Sequence, residues 1–234
     1  MNVKRLIQKV TGVGVLVAVM LTAIVGPVSA ASLTATSTLS ADEAAGLTFM
    51  REEEKLAHDV YVTFYQQYGL AIFNNIANSE AAHTASIKTL VDRYGLSDPA
   101  AANGVGTFEN ADLQALYDQL IAQGRQSLSA ALKVGAAIEE IDILDLKARI
   151  ATTTHSDIQQ IYNNLLNGSY NHLRAFANTL QAQTGEVYQP QYLDTTTYQT
   201  ILAGANGNGR HGGSSTVGNR GAIGSGSSRG GRRW

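Results

Sequence analysis

Four long segments of the chain carry an apolar residue every three or four positions, which is the period of one face of an α-helix. The first segment begins with Ser40-x-x-Glu43, a capping-box pattern, and ends near Gly69. The others span about residues 72–95, 127–150 and 156–183, and a shorter pattern at 110–123 predicts a connecting helix. Because no stretch alternates with the period of a β-strand, the pattern predicts an all-α fold.

The spacing of these segments also predicts how the helices pair. The first two are separated only by a tight turn at Gly69 and Leu70, and the last two by a few residues, so each pair should form a helix hairpin. A longer connection, which contains the short helix, joins the hairpins. Four helices with apolar stripes bury them best as a four-helix bundle.

Each apolar stripe is interrupted near its middle by ionisable residues. The first stripe contains Glu54, and Asp142 follows the carboxylate of the third stripe by one helical turn. The full set of interruptions is Glu54, Glu80, His83, Glu139, Asp142 and His172. The position of Glu140 leaves it open as an alternative to Glu139, although the apolar stripe favours Glu139. Neighbouring Glu52 and Glu53 are interpreted as a solvated face.

Carboxylates in the core of a bundle need a compensating charge. A buried unpaired charge costs several kcal/mol, and no Lys or Arg lies on these stripes. One explanation is a polar core of protonated and hydrogen-bonded residues. The other is a metal ion, and carboxylate oxygens with imidazole nitrogens suit iron or manganese, or zinc. A lone Glu-x-x-His means little because it can arise by chance, so the metal hypothesis depends on the interruption of all four helices at mid-length.

Several short motifs resemble known metalloprotein bundles. "EKLAHDVY" at 54–61 and "SEAAH" at 79–83 resemble the first two helices of rubrerythrin-type domains. More closely, three motifs together resemble the domain-of-unknown-function family 2202, in the ferritin/rubrerythrin-like superfamily: "EEEKLAHDVY" at 52–61, "IEEIDILDL" at 138–146 and "NGSYNHLRAF" at 167–176. The resemblance covers about residues 45–185.

The resemblance implies a ferritin-like four-helix bundle whose ligands are Glu54, Glu80, His83, Glu139 and His172. One departure is visible: the fourth helix has Ser169 where rubrerythrin-like proteins have the glutamate of Glu-x-x-His. One carboxylate is thus missing, and Asp142 could replace it from the third helix. We therefore expect one or two bound iron or manganese ions.

The ends of the chain have a different composition from the middle. Residues 1–30 have a basic start, an apolar stretch and Val28-Ser29-Ala30, the pattern of a secretory signal. The predicted bundle domain, residues 40–185, is followed by an extension at 186–203 and a Gly/Arg-rich tail at 204–234 that we expect to be disordered. All 19 acidic residues lie between Asp42 and Asp194 with nine basic ones, so that region carries about −10.

These features favour an exported protein in the periplasm, the cell envelope or the extracellular medium. We expect no transmembrane span in the mature form, no nucleic-acid partner for so acidic a domain, and contact of the basic tail with an anionic envelope. The pattern does not predict an oligomeric state. The sequence has no cysteine, so thiolate ligands and a rubredoxin-type electron donor are absent.

Two functions follow as hypotheses. The first is a metal-binding ferritin-like protein with ferroxidase- or peroxidase-type redox activity. The second is a non-enzymatic structural or interaction protein of the cell envelope, in which the polar residues form a metal-free core.

Overall fold

The computed structural model describes residues 38–204, and within that range the regular structure consists of six helices. They are α1 (Ala41–Tyr68), α2 (Ala71–Arg93), α3 (Ala111–Gly124), α4 (Leu128–Thr152), α5 (Ser156–Thr184) and α6 (Thr195–Leu202). The predicted all-α helical bundle is confirmed. Its specifically ferritin-like arrangement stays a prediction. The predicted signal at 1–30 and all but the first residue of the predicted tail lie outside the described range.

Local sequence signals set the helix ends. The Ser40 hydroxyl accepts from the backbone N–H of Glu43 (3.1 Å), and the Glu43 carboxylate accepts from the backbone N–H of Ser40 (3.0 Å), which completes the capping box. Gly69 ends α1 with φ 64°, and Gly185 ends α5 with φ 75°; both are left-handed conformations that glycine adopts without strain. The predicted helix boundaries therefore hold to within a few residues.

The long helices form two hairpins, α1 with α2 and α4 with α5. Contacts between α1 and α4, and between α2 and α5, join the hairpins into the bundle, and α3 packs on α1 and α4. The extension after α5 carries α6, which sequence periodicity did not indicate, and packs its buried Tyr198 and Ile201 against the rest. Within residues 38–204, no helix has the length and apolar character needed to cross a membrane.

Two apolar clusters fill the bundle and leave a polar layer between them. One cluster surrounds Tyr61, Phe73 and Phe176, and the other surrounds Met50 and Leu90. Along every long helix the interrupting polar residues fall between the stretches that supply the two clusters. The layer is therefore closed off at both ends by packed hydrophobic side chains.

A candidate metal centre

All four long helices contribute to the polar layer. Helix α1 supplies Glu54, α2 supplies Glu80 and His83, α4 supplies Glu139 and Asp142, and α5 supplies His172. Five of these six are buried and His83 is partly buried. The structure thus places all six predicted ligands in one layer, and five of them, all except Asp142, belong to groups of closely spaced ligand atoms.

Glu80 lies at the centre of the cluster. Its Oε2 is 2.7 Å from Nδ1 of His83, and its Oε1 is 2.7 Å from Nδ1 of His172. Glu54 Oε2 lies 3.3 Å from His83 Nδ1, and Glu139 Oε2 lies 3.4 Å from His172 Nδ1. Two groups of three potential ligands result, Glu54–Glu80–His83 and Glu80–Glu139–His172, each with its ligand atoms within 4.8 Å of one another. Glu80 belongs to both.

Several polar atoms of the cluster have no hydrogen-bond partner. Oε1 of Glu80 and Nδ1 of His172 are close but are not aligned as donor and acceptor, and both are buried without a hydrogen bond. Oε1 of Glu54 and Oδ1 of Asp142 are likewise buried and unpartnered. Such atoms are costly unless something else satisfies them. Their concentration in one layer distinguishes it from an ordinary polar core.

Neighbouring side chains hold the candidate ligands in place. The Tyr61 hydroxyl donates to Glu139 Oε1 (2.5 Å), and the Ser169 hydroxyl donates to Asp142 Oδ2. Nε2 of His172 lies 3.0 Å from the Ser79 hydroxyl. Metal-binding residues are commonly oriented by such outer hydrogen bonds. Ser169, at the position of the missing glutamate, therefore holds the carboxylate that could replace it.

Gly168 makes the space that His83 occupies. A Cβ atom at this position would lie 2.5 Å from Cε1 and 2.7 Å from Nε2 of His83, closer than packed atoms approach. The two imidazole rings, of His83 and His172, are 5.5 Å apart between centroids. A larger residue at 168 would displace the first of them. Periodicity placed Gly168 on the inner face but gave no sign of this role.

The cluster strongly perturbs the acidity of its own members. Burial alone would raise the pKa of Glu80, but the close imidazoles of His172 and His83 lower it to about 2. Burial would lower the pKa of each histidine, and the surrounding carboxylates instead raise it to about 11 for His83 and about 10 for His172. At neutral pH and without metal, both imidazoles are therefore protonated.

The pKa values of the remaining carboxyl groups in the layer are raised. Burial, with the charge of Glu139, raises the pKa of Asp142 to about 8, and burial also raises the pKa of Glu54 and Glu139. Each of these shifts favours the protonated carboxyl over the carboxylate. A divalent cation would compensate the carboxylates directly while displacing the histidine protons.

The adjacent residues Glu139 and Glu140 point to different sides of α4 and have different partners. Glu140 is fully buried on the other side of α4 and accepts hydrogen bonds from the Tyr188 hydroxyl (2.7 Å) and the backbone N–H of Leu193 (2.7 Å). The backbone N–H groups of Gln191 and Tyr192 also donate to the Glu140 carboxylate. Glu139 alone faces the polar layer, and Glu140 anchors the C-terminal extension.

The interpretation of Glu52 and Glu53 as a solvated face is wrong. Glu52 is buried because it accepts from the backbone N–H groups of Glu109 (2.6 Å) and Asn110 (3.0 Å), just before α3. Glu53 is buried against α4, where burial and the nearby charge of Asp145 raise its pKa well above normal. Helix periodicity could not reveal these partners because the covering segments are remote in sequence.

The fold and the site define a class: a helical bundle with a buried carboxylate–histidine layer contributed by all four long helices. The chain belongs to family DUF2202, described as an uncharacterized protein domain, which matches residues 43–205. It is 44% identical over 165 residues to the uncharacterized protein MJ0754 of Methanocaldococcus jannaschii, covering 70% of this chain and 89% of that protein.

The fold is also similar to a solved structure. The crystal structure of hypothetical protein MJ0754 from Methanococcus jannaschii DSM 2661 matches with a TM-score of 0.70 and 43% sequence identity, over 74% of this chain and 98% of that one. The resemblance to family DUF2202 inferred from the motifs is confirmed, and the ferritin/rubrerythrin-like superfamily stays a prediction. Neither comparison supplies an activity, so function must be argued from the site.

Proposed function

We propose that the polar layer binds one or two iron or manganese ions through Glu54, Glu80, His83, Glu139, Asp142 and His172, and that this centre supports ferroxidase- or peroxidase-type redox chemistry. The observation that carries the proposal is the arrangement around Glu80. Each of its carboxylate oxygens faces one histidine nitrogen, and one of these close pairs is not a hydrogen bond.

The spacing of these atoms fits ligands of a common ion. Neighbouring ligands held roughly 2.0–2.2 Å from an ion lie about 3 Å from each other, and the carboxylate–imidazole separations here run from 2.7 to 3.4 Å. Four carboxylates and two imidazoles form an oxygen-rich set that favours iron or manganese. Since Glu80 belongs to both groups of three, it would help to hold either one ion or two.

The protein's own residues prepare the layer for this chemistry. Tyr61, Ser169 and Ser79 orient Glu139, Asp142 and His172 respectively. His83 and His172 must each release a proton to bind metal through Nδ1. A bound iron ion supplies one-electron exchange with oxygen or peroxide. Because the chain has no cysteine, the reducing electrons would come from an outside donor.

Metal analysis of the purified protein tests the proposal. Protein made in iron- and manganese-supplied hosts should carry one or two ions per chain, and its Fe(II)-loaded form should oxidise in air with a ferric absorbance change. Glu80→Gln should lose most of the metal because the substitution affects both groups. Glu109→Gln, an exposed glutamate, is the matched control and should retain it.

A transition-metal content near zero in the unaltered protein would overturn the proposal. That result would favour the alternative, a non-enzymatic structural or interaction protein with a metal-free polar core. Redox chemistry is tested separately, because metal binding without Fe(II) oxidation would leave a binding protein and remove the oxidase.

We further propose that the protein acts after export, as the character of residues 1–30 suggests. Cell fractionation with an antibody against the bundle tests this, and recovery of the uncleaved chain in the cytosol would contradict it.

A further inference from the structure

A second feature lies at the end of the bundle where α1 begins, α4 ends and α5 begins. A cavity of about 210 Å³ is lined there by residues that include Gly46, Arg149 and Tyr162. None of the six candidate metal ligands lines it. The cavity is therefore separate from the polar layer, and the candidate metal centre does not account for it.

Arg149 is the cationic group of this cavity, and within residues 38–204 no carboxylate pairs with it. Its Nε is buried without a hydrogen bond, and among residues 38–204 its guanidinium forms no ion pair. The guanidinium carbon lies 4.8 Å from the centroid of the Phe49 ring, so the plane is supported by an aromatic face. A guanidinium held in this way presents its donors in a fixed fork, ready for an acceptor.

Gly46 keeps the space beside this guanidinium open. A Cβ at Gly46 would lie 2.9 Å from Nη1 of Arg149 and 3.7 Å from the Tyr162 hydroxyl oxygen. Both polar groups therefore border the same small volume. Gly46 lies within α1 in ordinary helical conformation, where glycine is less favourable than alanine. The backbone conformation at this position would accept other residues, but any side chain would reduce the space beside Arg149.

The acidic residues nearby do not occupy Arg149. Glu43 accepts from the Thr153 hydroxyl (2.7 Å) and the Thr154 backbone N–H (3.0 Å), and it lies 2.8 Å from His155 Nδ1, so its Oε1 is already engaged by other groups. Among residues 38–204, Oε2 of Glu53 is buried without a hydrogen bond, so it does not engage Arg149. Asp42 also lines the cavity but is exposed to solvent.

We infer that this cavity binds the oxyanion of a small molecule, a phosphate or a carboxylate, between the Arg149 guanidinium and the Tyr162 hydroxyl. The guanidinium donates two parallel hydrogen bonds, the preferred recognition of both groups. Burial raises the pKa of Tyr162 to about 12, so its hydroxyl is protonated and donates. The cavity is larger than one oxyanion, which leaves room for a short organic body beside Gly46.

Calorimetric titration of the full chain with inorganic phosphate, and separately with malonate, tests this inference at constant ionic strength. Saturable binding of at least one probe is expected. Arg149→Gln should weaken binding at least tenfold, and Gly46→Ala should weaken it by filling the space. Arg125→Gln removes an exposed arginine elsewhere and should leave binding unchanged. Binding of phosphate alone or malonate alone would identify the kind of group, and binding of both would support a general oxyanion site.

Two results would overturn the inference: no saturable binding of either probe, or binding that persists in both Arg149→Gln and Gly46→Ala, as expected if the anion binds at the metal centre. Helical circular dichroism and the thermal midpoint show whether each variant is folded. If Arg149→Gln does not fold, Tyr162→Phe removes only the hydroxyl and decides the question with Gly46→Ala.

Discussion

The contact between Gly168 and His83 allows a sharp test of the site. In Gly168→Ala, the new Cβ would lie 2.5 Å from His83 Cε1, so the imidazole must move. Its Nδ1 would then lose the 2.7 Å contact with Glu80 Oε2. We therefore expect this variant to bind less metal than the unaltered protein, although it changes none of the candidate ligands.

Two opposing effects set the change in stability. Alanine is about 1 kcal/mol more favourable than glycine within a helix, whereas forcing an extra carbon into a packed site costs about 1–3 kcal/mol. Gly168→Ala should therefore be neutral or destabilising by up to about 2 kcal/mol. In a His83→Ala background the clash is absent, and the same substitution should stabilise by about 1 kcal/mol.

This double-mutant cycle compares the unaltered protein, Gly168→Ala, His83→Ala and the double variant. Urea unfolding in EDTA measures their stabilities, and metal analysis without EDTA measures how much metal each one binds. The expected coupling is about 1–3 kcal/mol. If Gly168→Ala stabilised both backgrounds equally and kept its metal, His83 would not pack against Gly168 as described, and the geometry of this half of the site would be wrong.

Three further predictions follow. Glu140→Gln should destabilise the protein by about 2–3 kcal/mol in urea unfolding, because several buried donors lose a charged acceptor; an unchanged midpoint would show that the extension is held by other contacts. Ser169→Ala should cost the metal-free protein about 1–3 kcal/mol by leaving the Asp142 oxygen unpaired. Ser86→Ala should not, because that serine is partly exposed and its hydroxyl donates only within its own helix. The metal-free protein should lose stability as pH rises from 6 to 9. Folding raises the pKa of His83 to about 11, of His172 to about 10 and of Asp142 to about 8. Each group therefore stabilises the fold at a pH below its unfolded-state pKa, and this stabilisation is lost as the pH rises toward its folded-state pKa. Thermal midpoints with EDTA and with Mn(II) test this last prediction, since metal affinity should rise over the same range, and a flat profile in EDTA would contradict it.

The sequence by itself determined the helices and the layer of polar residues within them. Capping at Ser40 and chain reversal at Gly69 are local effects, carried by residues within one turn of the helix end. Periodicity also showed that Glu54, Glu80 and His172 lie on inward faces. These inferences succeed because a helix face is fixed by 3.6-residue geometry, whatever the helix packs against.

The tertiary structure decided which faces are covered and by what. Glu139 and Glu140 are adjacent on α4, and both are buried, because the bundle covers one side and the C-terminal extension covers the other. Gly46 matters only because Arg149, more than a hundred positions later, reaches the space beside it. Periodicity identifies one apolar face of a helix. Burial of a second face depends on contacts between distant segments, and only the folded chain establishes those contacts.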